Sequence, residues 1–233
     1  MKIITNEKKK KINRRIALGT TLAGMAVLIG GLVLSLKYPN QISYSFGALI
    51  LGFLLAQVGM YFTNRWGRNP STDILLNQAL KGLDQQYTLC HYFTPVYHLL
   101  VGPAGVWILA PVHVGGSILF QKGRWVHKGA SILRFFGQEG LGRPDLELPY
   151  EVEKIQNFLK PISGDEKPFP VSAALVFTNP KVKININPDE NTPALTIELE
   201  KLKEQIRKEA KRKTVPLDKI EAINEFLNQF QPA

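Results

Sequence analysis

Two uncharged apolar stretches near the start of the chain constrain it more than any other feature. Ile16–Leu36 (IALGTTLAGMAVLIGGLVLSL) and Ile42–Phe62 (ISYSFGALILGFLLAQVGMYF) contain no Asp, Glu, Lys or Arg. A hydrocarbon core about 30 Å thick is crossed by roughly 20 helical residues rising about 1.5 Å each, so either stretch is long enough. Only KYPNQ separates them, with Pro39 and Asn40 as turn formers, which predicts a helical hairpin. Tyr38, Tyr44, Tyr61, Phe62 and Trp66 lie near the span ends, where aromatic side chains anchor at the interface. A cleaved signal peptide has a shorter apolar region and a small-residue cleavage pattern, and no second span follows it at once.

The charge distribution sets the orientation. The net charge of +10 suggests a nucleic-acid binder until it is located. Seven basic residues (Lys2, Lys8, Lys9, Lys10, Lys11, Arg14, Arg15) precede the first span against a single acid, Glu7. Asn64–Ala233 holds 21 basic and 18 acidic residues and is nearly balanced, so the overall charge says little about DNA. Lys8–Lys11, Arg14 and Arg15 before the first span, and Arg65 and Arg68 after the second, outweigh the lone Lys37 of the connecting loop. The positive-inside rule then predicts a cell-membrane protein with two spans, both termini cytoplasmic and the loop outside. Membrane lipid is the partner this implies, through headgroup contact by the basic flank. Neither span carries an ionisable residue of the kind a transport pathway uses, so the pair reads as an anchor. Small residues at Ala48, Gly52 and Ala56, and at Gly19 and Ala23, are read as packing the hairpin against itself. One cysteine, Cys90, excludes an internal disulfide framework and a cysteine-rich zinc site.

The remainder reads as an α/β domain with a mixed central sheet. A capped helix is expected from Ile74 to Leu83, a strand at YTLCHYF, and a hairpin from Val96 to Leu109 about the turn Gly102–Gly105. SILFQ and RWVHK form a second hairpin about Lys122-Gly123. Gly129–Leu148 reads as a loop with a short helix at Ser131–Phe136, followed by an amphipathic helix from Pro149 to before Pro161. Val171–Phe177 is a short apolar buried strand, KVKININ a more exposed one, and LTIEL either a strand or the start of the next helix. Leu199–Lys213 and Pro216–Phe230 are helices.

The run VYHLLVGPAGVWILAPVHVGGSI resembles the nuclease-related domain (NERD) family, whose fold is that of the PD-(D/E)xK nucleases. The family reads approximately QIDHVVVGPxGVFVIEVKxxxGxI here, and His98, Gly102, Pro103, Gly105, Val106, Gly116 and Ile118 match in register. Asp73 with Leu76 and Leu80, Trp125 after Gly123, and AALVF extend the likeness over residues 73–202. The resemblance implies a restriction-endonuclease-like sheet and ancestry in DNA cleavage. It also implies that the metal-binding Asp, Glu and Lys positions are occupied by Tyr97, Ala110 and Val112. Two carboxylates on adjacent strands hold Mg²⁺ in that chemistry, and neither Ala nor a neutral phenol replaces them. Asp73 and His98 are the residual candidates.

The organisation expected is a basic tail (1–15), two spans (16–36 and 42–62), a NERD-like domain (73–202) and C-terminal helices (203–233). The function expected is a catalytically inactive nuclease fold used as a binding or scaffolding module at the membrane, without cofactor. The alternatives are a divergent Mg²⁺-dependent nuclease using Asp73, Asp145 or Glu147, and a subunit of a membrane assembly with a protein partner. Lys201, Lys203, Arg207, Lys208, Lys211, Arg212 and Lys213 could meet nucleic acid or anionic lipid, but Glu198, Glu200, Glu204 and Glu209 interleave with them as on a solvated, salt-bridged face. Pro144-Asp145 with Asp165-Glu166-Lys167 satisfies the nuclease pattern only literally, in a loop context. His91, His98, His113 and His127 read as ordinary strand or rim histidines, because no carboxylate accompanies His98 or His113. Cys90 and His91, as strand neighbours, point to opposite faces and form no dyad.

Overall fold

The computed structural model describes residues 1–128, 140–163, 169–187, 190–212 and 214–231. The chain forms two compact units, Glu7–Thr72 on one hand and Met1–Asn6 with Asp73–Ala233 on the other.

The first unit is a helical hairpin. Helix α1 runs over Glu7–Lys37 and α2 over Ile42–Phe62, followed by a π-helical turn at Thr63–Gly67. The two helices pack along a seam of small residues spaced by seven: Ala17, Gly24 and Gly31 on α1, and Ser45, Gly52 and Gly59 on α2, all buried. A Cβ on Gly52 would stand 2.6 Å from Leu28, and one on Gly59 would stand 2.5 Å from Thr21, so glycine sets the approach distance. This seam is the self-packing expected of the hairpin, with Gly52 on it, whereas Gly19 has open space around it. The outer faces expose Leu22, Ile29, Leu32, Leu51 and Leu54, so these are not helices buried in a soluble core. Both are long and apolar enough to cross a membrane.

The second unit is an α/β domain with a mixed sheet in the order β1-β2-β3-β4-β7-β9, and a smaller sheet in the order β6-β5-β8. The large sheet comprises β1 (Lys2–Thr5), β2 (Thr88–His91), β3 (His98–Gly102), β4 (Gly105–Val112), β7 (Val171–Phe177) and β9 (Leu195–Glu198). The small sheet comprises β5 (Gly116–Gln121), β6 (Arg124–Lys128) and β8 (Val182–Asn185). Strands β2, β3 and β4 are antiparallel neighbours, while β4–β7 and β7–β9 are parallel. The β3–β4 turn places Gly105 at φ +100°, a conformation that favours glycine.

Alternation along the strands divides the core. Leu99, Val101, Val106, Ile108, Ala173 and Leu175 face one side and pack with Ile155 and Leu159 of α4 (Pro144–Ser163) and Ile220 and Ile223 of α6 (Leu217–Asn228). Leu89, Leu100, Trp107, Leu109, Ala174 and Val176 face the other, with Leu76 of α3 (Thr72–Ala79) and Leu202 and Ile206 of α5 (Leu202–Arg212). Ile118, Phe120 and Trp125 of the small sheet complete the first core.

Three sequence expectations change. Residues 1–15 are not one tail: Lys2–Thr5 form an edge strand parallel to β2, and α1 begins at Glu7. Four residues beside a lysine run give too little pattern to announce a strand, and tertiary pairing decides it. The stretch read as loop up to Leu148 is already helical from Pro144, because proline is tolerated at a first helical position and buried Leu148, Ile155 and Leu159 share one face. That helix also continues through Pro161 to Ser163. LTIEL resolves as a strand followed by a 3-10 turn at Leu199–Lys201. The short helix expected at Ser131–Phe136 lies outside the described residues.

Candidate functional site

Two of the positions that the resemblance marks for metal chemistry, Ala110 and Val112, lie on one face of the sheet. Ala110 and Val112 alternate along β4 with Leu109 and Pro111 between them, opposite Leu175 and Phe177 of β7. Tyr97 precedes β3 by one residue, is half-buried, and has its ring 6.4 Å from that of Tyr92. Ala110, Val112 and the nearby Phe93 are half-buried and pack against the apolar core shared with α4. Ala and Val offer no donor atom, and a neutral phenol is a poor ligand for a hard cation. The residues present do not fit Mg²⁺, and no hydrolytic step follows from them.

The opposite side of the same strands carries a buried polar network. His91 of β2 lies directly across from His98 of β3. Their Nδ1 atoms are 2.7 Å apart, and His91 Nε2 is 3.0 Å from Asn77 Oδ1 on α3. An amide oxygen only accepts, so His91 carries its hydrogen on Nε2 and its Nδ1 accepts from His98 Nδ1–H in the neutral pair. Beside them the Tyr92 hydroxyl donates to Asp73 Oδ1 at 3.1 Å. Tyr92 sits at φ +70°, a region an aromatic residue seldom occupies, and its N–H donates to the Tyr97 carbonyl at 2.8 Å. Asp73, His91, Tyr92 and His98 are all buried. The network satisfies polar groups and fixes α3 on the sheet.

The carboxylates proposed for a rebuilt site do not converge. Asp73 lies on α3, against one face of the sheet, while Asp145 and Glu147 open α4, against the other. Asp145 is held by Arg143 through an ion pair of 2.7 Å, and that hydrogen bond lowers its pKa below the ordinary carboxylate value. Among the described residues, no group of three or more His, Cys, Asp or Glu side chains is placed to hold a metal ion. His113 Nδ1 meets Thr178 Oγ1 at 3.0 Å and His127 Nε2 meets the Gly115 carbonyl at 2.6 Å, both away from the His91–His98 pair. Cys90 is fully buried on the α4 side, and burial pushes its thiol up to about 12. A thiol so placed is no nucleophile near neutrality.

The basic helix is largely engaged. Lys201 pairs with Glu198 at 2.9 Å and Lys208 with Glu204 at 3.0 Å. Lys203 and Arg207 donate to the carbonyls of Lys81 and Gly82, at 3.2 and 2.6 Å. Lys211 and Arg212 are exposed at the end of α5, and Lys213 lies outside the described residues. Of the residues flanking the hairpin, Lys8, Lys9, Lys10, Lys11, Arg14 and Arg15 occupy the first turns of α1. Arg65 lies over the Tyr61 ring after α2, and Arg68 follows the π-helical turn.

No family model, curated protein or solved structure matches the chain. Sequence reasoning missed the His91–His98 pair, although the short β2–β3 connection holds the register that creates it.

Proposed function

We propose that this chain is a membrane-anchored protein whose α/β domain keeps a restriction-endonuclease-like architecture of the NERD type without its catalysis, and acts as a binding or scaffolding module on the cytoplasmic side. The observation that carries the reading is what fills the three marked positions: Ala110 and Val112 pack against the core, and neither they nor the Tyr97 phenol offer a carboxylate to a cation. The order β2-β3-β4-β7, antiparallel and then parallel with α4 in the crossover, supports the architectural part.

A second observation supports the topology. Strand β1 precedes the apolar hairpin and pairs with β2, which follows it. A sheet cannot be shared across a bilayer, so both ends of the hairpin belong on one side, in agreement with the basic flanks. The test uses the full chain in detergent with supercoiled plasmid and Mg²⁺ or Mn²⁺. No nicking above a metal-free control is expected; metal-dependent cleavage by the purified chain would overturn the inactive reading.

A further inference from the structure

The small sheet presents an outward face that the proposed function does not use. In register, Lys128, Ser117 and Lys183 form one row across β6, β5 and β8, and Val126, Leu119 and Asn185 form the next. Gln121 and Arg124 close the hairpin end. The alternate residues Ile118, Phe120 and Trp125 point inward to the core, so this row-by-row face is the outer one. Lys122, Arg124, Lys128, Lys181 and Lys183 are all exposed, while Leu119 and Val126 at the centre are half-buried.

The charge here is concentrated. Residues 116–128 and 181–187 hold these five cations and no acid, whereas Asp73–Ala233 in total holds 19 basic and 18 acidic residues. The domain outside this sheet is therefore net acidic. None of the five is in an ion pair among the described residues, unlike Lys201 and Lys208 of α5. Asp145, the acid whose charge Arg124 feels, is already bound by Arg143.

We propose that this face docks on an anionic phospholipid surface, with the lysines and Arg124 at phosphate headgroups and Leu119 and Val126 as the apolar centre. The proposal rests on the membrane-anchored reading. Cations ringing a small apolar patch match an acidic bilayer interface in charge and in polarity. The face offers no exposed aromatic ring on which bases could stack, since Trp125 is buried. Direct attachment also matters: Asn6 of the domain is followed at once by Glu7 of α1, so a weak contact acts at high effective concentration.

The experiment uses the full chain with Gln121→Cys carrying an environment-sensitive fluorophore; buried Cys90 stays unlabelled. A label at Gln85→Cys, on the turn before β2, is the control. The chain is placed in nanodiscs of phosphatidylcholine alone or with 30 per cent phosphatidylserine (about a third of the lipid, a strongly anionic leaflet). Quenching of the Gln121→Cys label by nitroxide lipid is expected only in the anionic discs. It should fall in high salt, and drop about fivefold for each charge removed in a series ending at K122Q/R124Q/K128Q/K181Q/K183Q. Equal quenching in both discs, or quenching that survives the fivefold variant, would overturn the proposal. A shift of the label caused by duplex DNA in neutral discs, with no lipid effect, would assign the face to nucleic acid instead. Failure to enter the discs would refute the anchor separately. Co-sedimentation of the free chain with the two vesicle compositions then decides the face, with no preference for anionic vesicles counting against it.

Discussion

Strand β1 makes the domain depend on residues that lie before the hairpin, and a pair of proline variants isolates that dependence. The N–H of Lys2 donates to the Tyr87 carbonyl at 2.7 Å and that of Asn6 to the His91 carbonyl at 3.0 Å. With Ile4 opposite Cys90 in a parallel ladder, alternation brings the Ile4 N–H to the Leu89 carbonyl and turns the Ile3 N–H to the open edge. Ile4→Pro removes that donor and leaves a carbonyl in fully buried β2 without its partner. The loss is the cost of an unsatisfied buried acceptor, about 1–3 kcal/mol, plus the disrupted ladder on either side. A total of about 2–3 kcal/mol corresponds to roughly 5–10 °C in a domain of this size. Ile3→Pro removes no ladder bond and should cost much less. The assay is thermal unfolding of the full chain in detergent, followed by near-ultraviolet circular dichroism, where buried Trp107 and Trp125 report on the domain. Equal effects of the two prolines, or no effect of Ile4→Pro, would show that β1 is not part of the cooperative sheet.

Three further outcomes follow from the packing and the buried groups. Gly52→Leu sets a side chain against Leu28, so the hairpin seam should open and α1–α2 crosslinking efficiency should fall, while Gly19→Leu should leave it unchanged. His98→Leu removes the buried Nδ1–Nδ1 hydrogen bond to His91 and should cost about 1–3 kcal/mol in denaturant unfolding. Cys90 should resist alkylation in the folded chain at pH 8 and react on unfolding. Burial raises its folded pKa to about 12 from an ordinary 9.0, so the unfolded chain releases the proton first. Stability from this group is complete below pH 9 and is lost as pH rises toward 12, which an alkaline denaturation series on Cys90→Ala would detect as a shallower decline.

Much of the α/β domain is legible in the residues, and the gaps have physical causes. Val171–Phe177 announces itself as a strand because a short apolar run bounded by prolines fits a position buried on both faces. The hairpins at Gly102–Gly105 and Lys122-Gly123 follow from turn chemistry, and both turns use positive φ, at Gly105 and at Lys122 with Gly123. Strand β1 was hidden because its stability comes from a partner more than 80 residues away. The sequence also shows Ala110 and Val112, but not that they share a face with the core behind them. It points to α5 as the basic surface, whereas pairing within α5 and with the turn at Lys81–Gly82 leaves the small sheet as the more open concentration of positive charge. Basic residues spread over two strands and their turns carry no signal until the intervening strand brings them onto one face.

The most direct test of an emptied nuclease site is Mn²⁺ calorimetry on the full chain in detergent, for the natural protein and for a variant with Tyr97→Asp and Ala110→Glu. The account predicts no binding by the natural chain and measurable binding by the variant, because the variant would carry carboxylates on β4 and beside the start of β3 where the natural chain has none. Mn²⁺ binding by the natural chain, with cleavage of plasmid in the same samples, would contradict it.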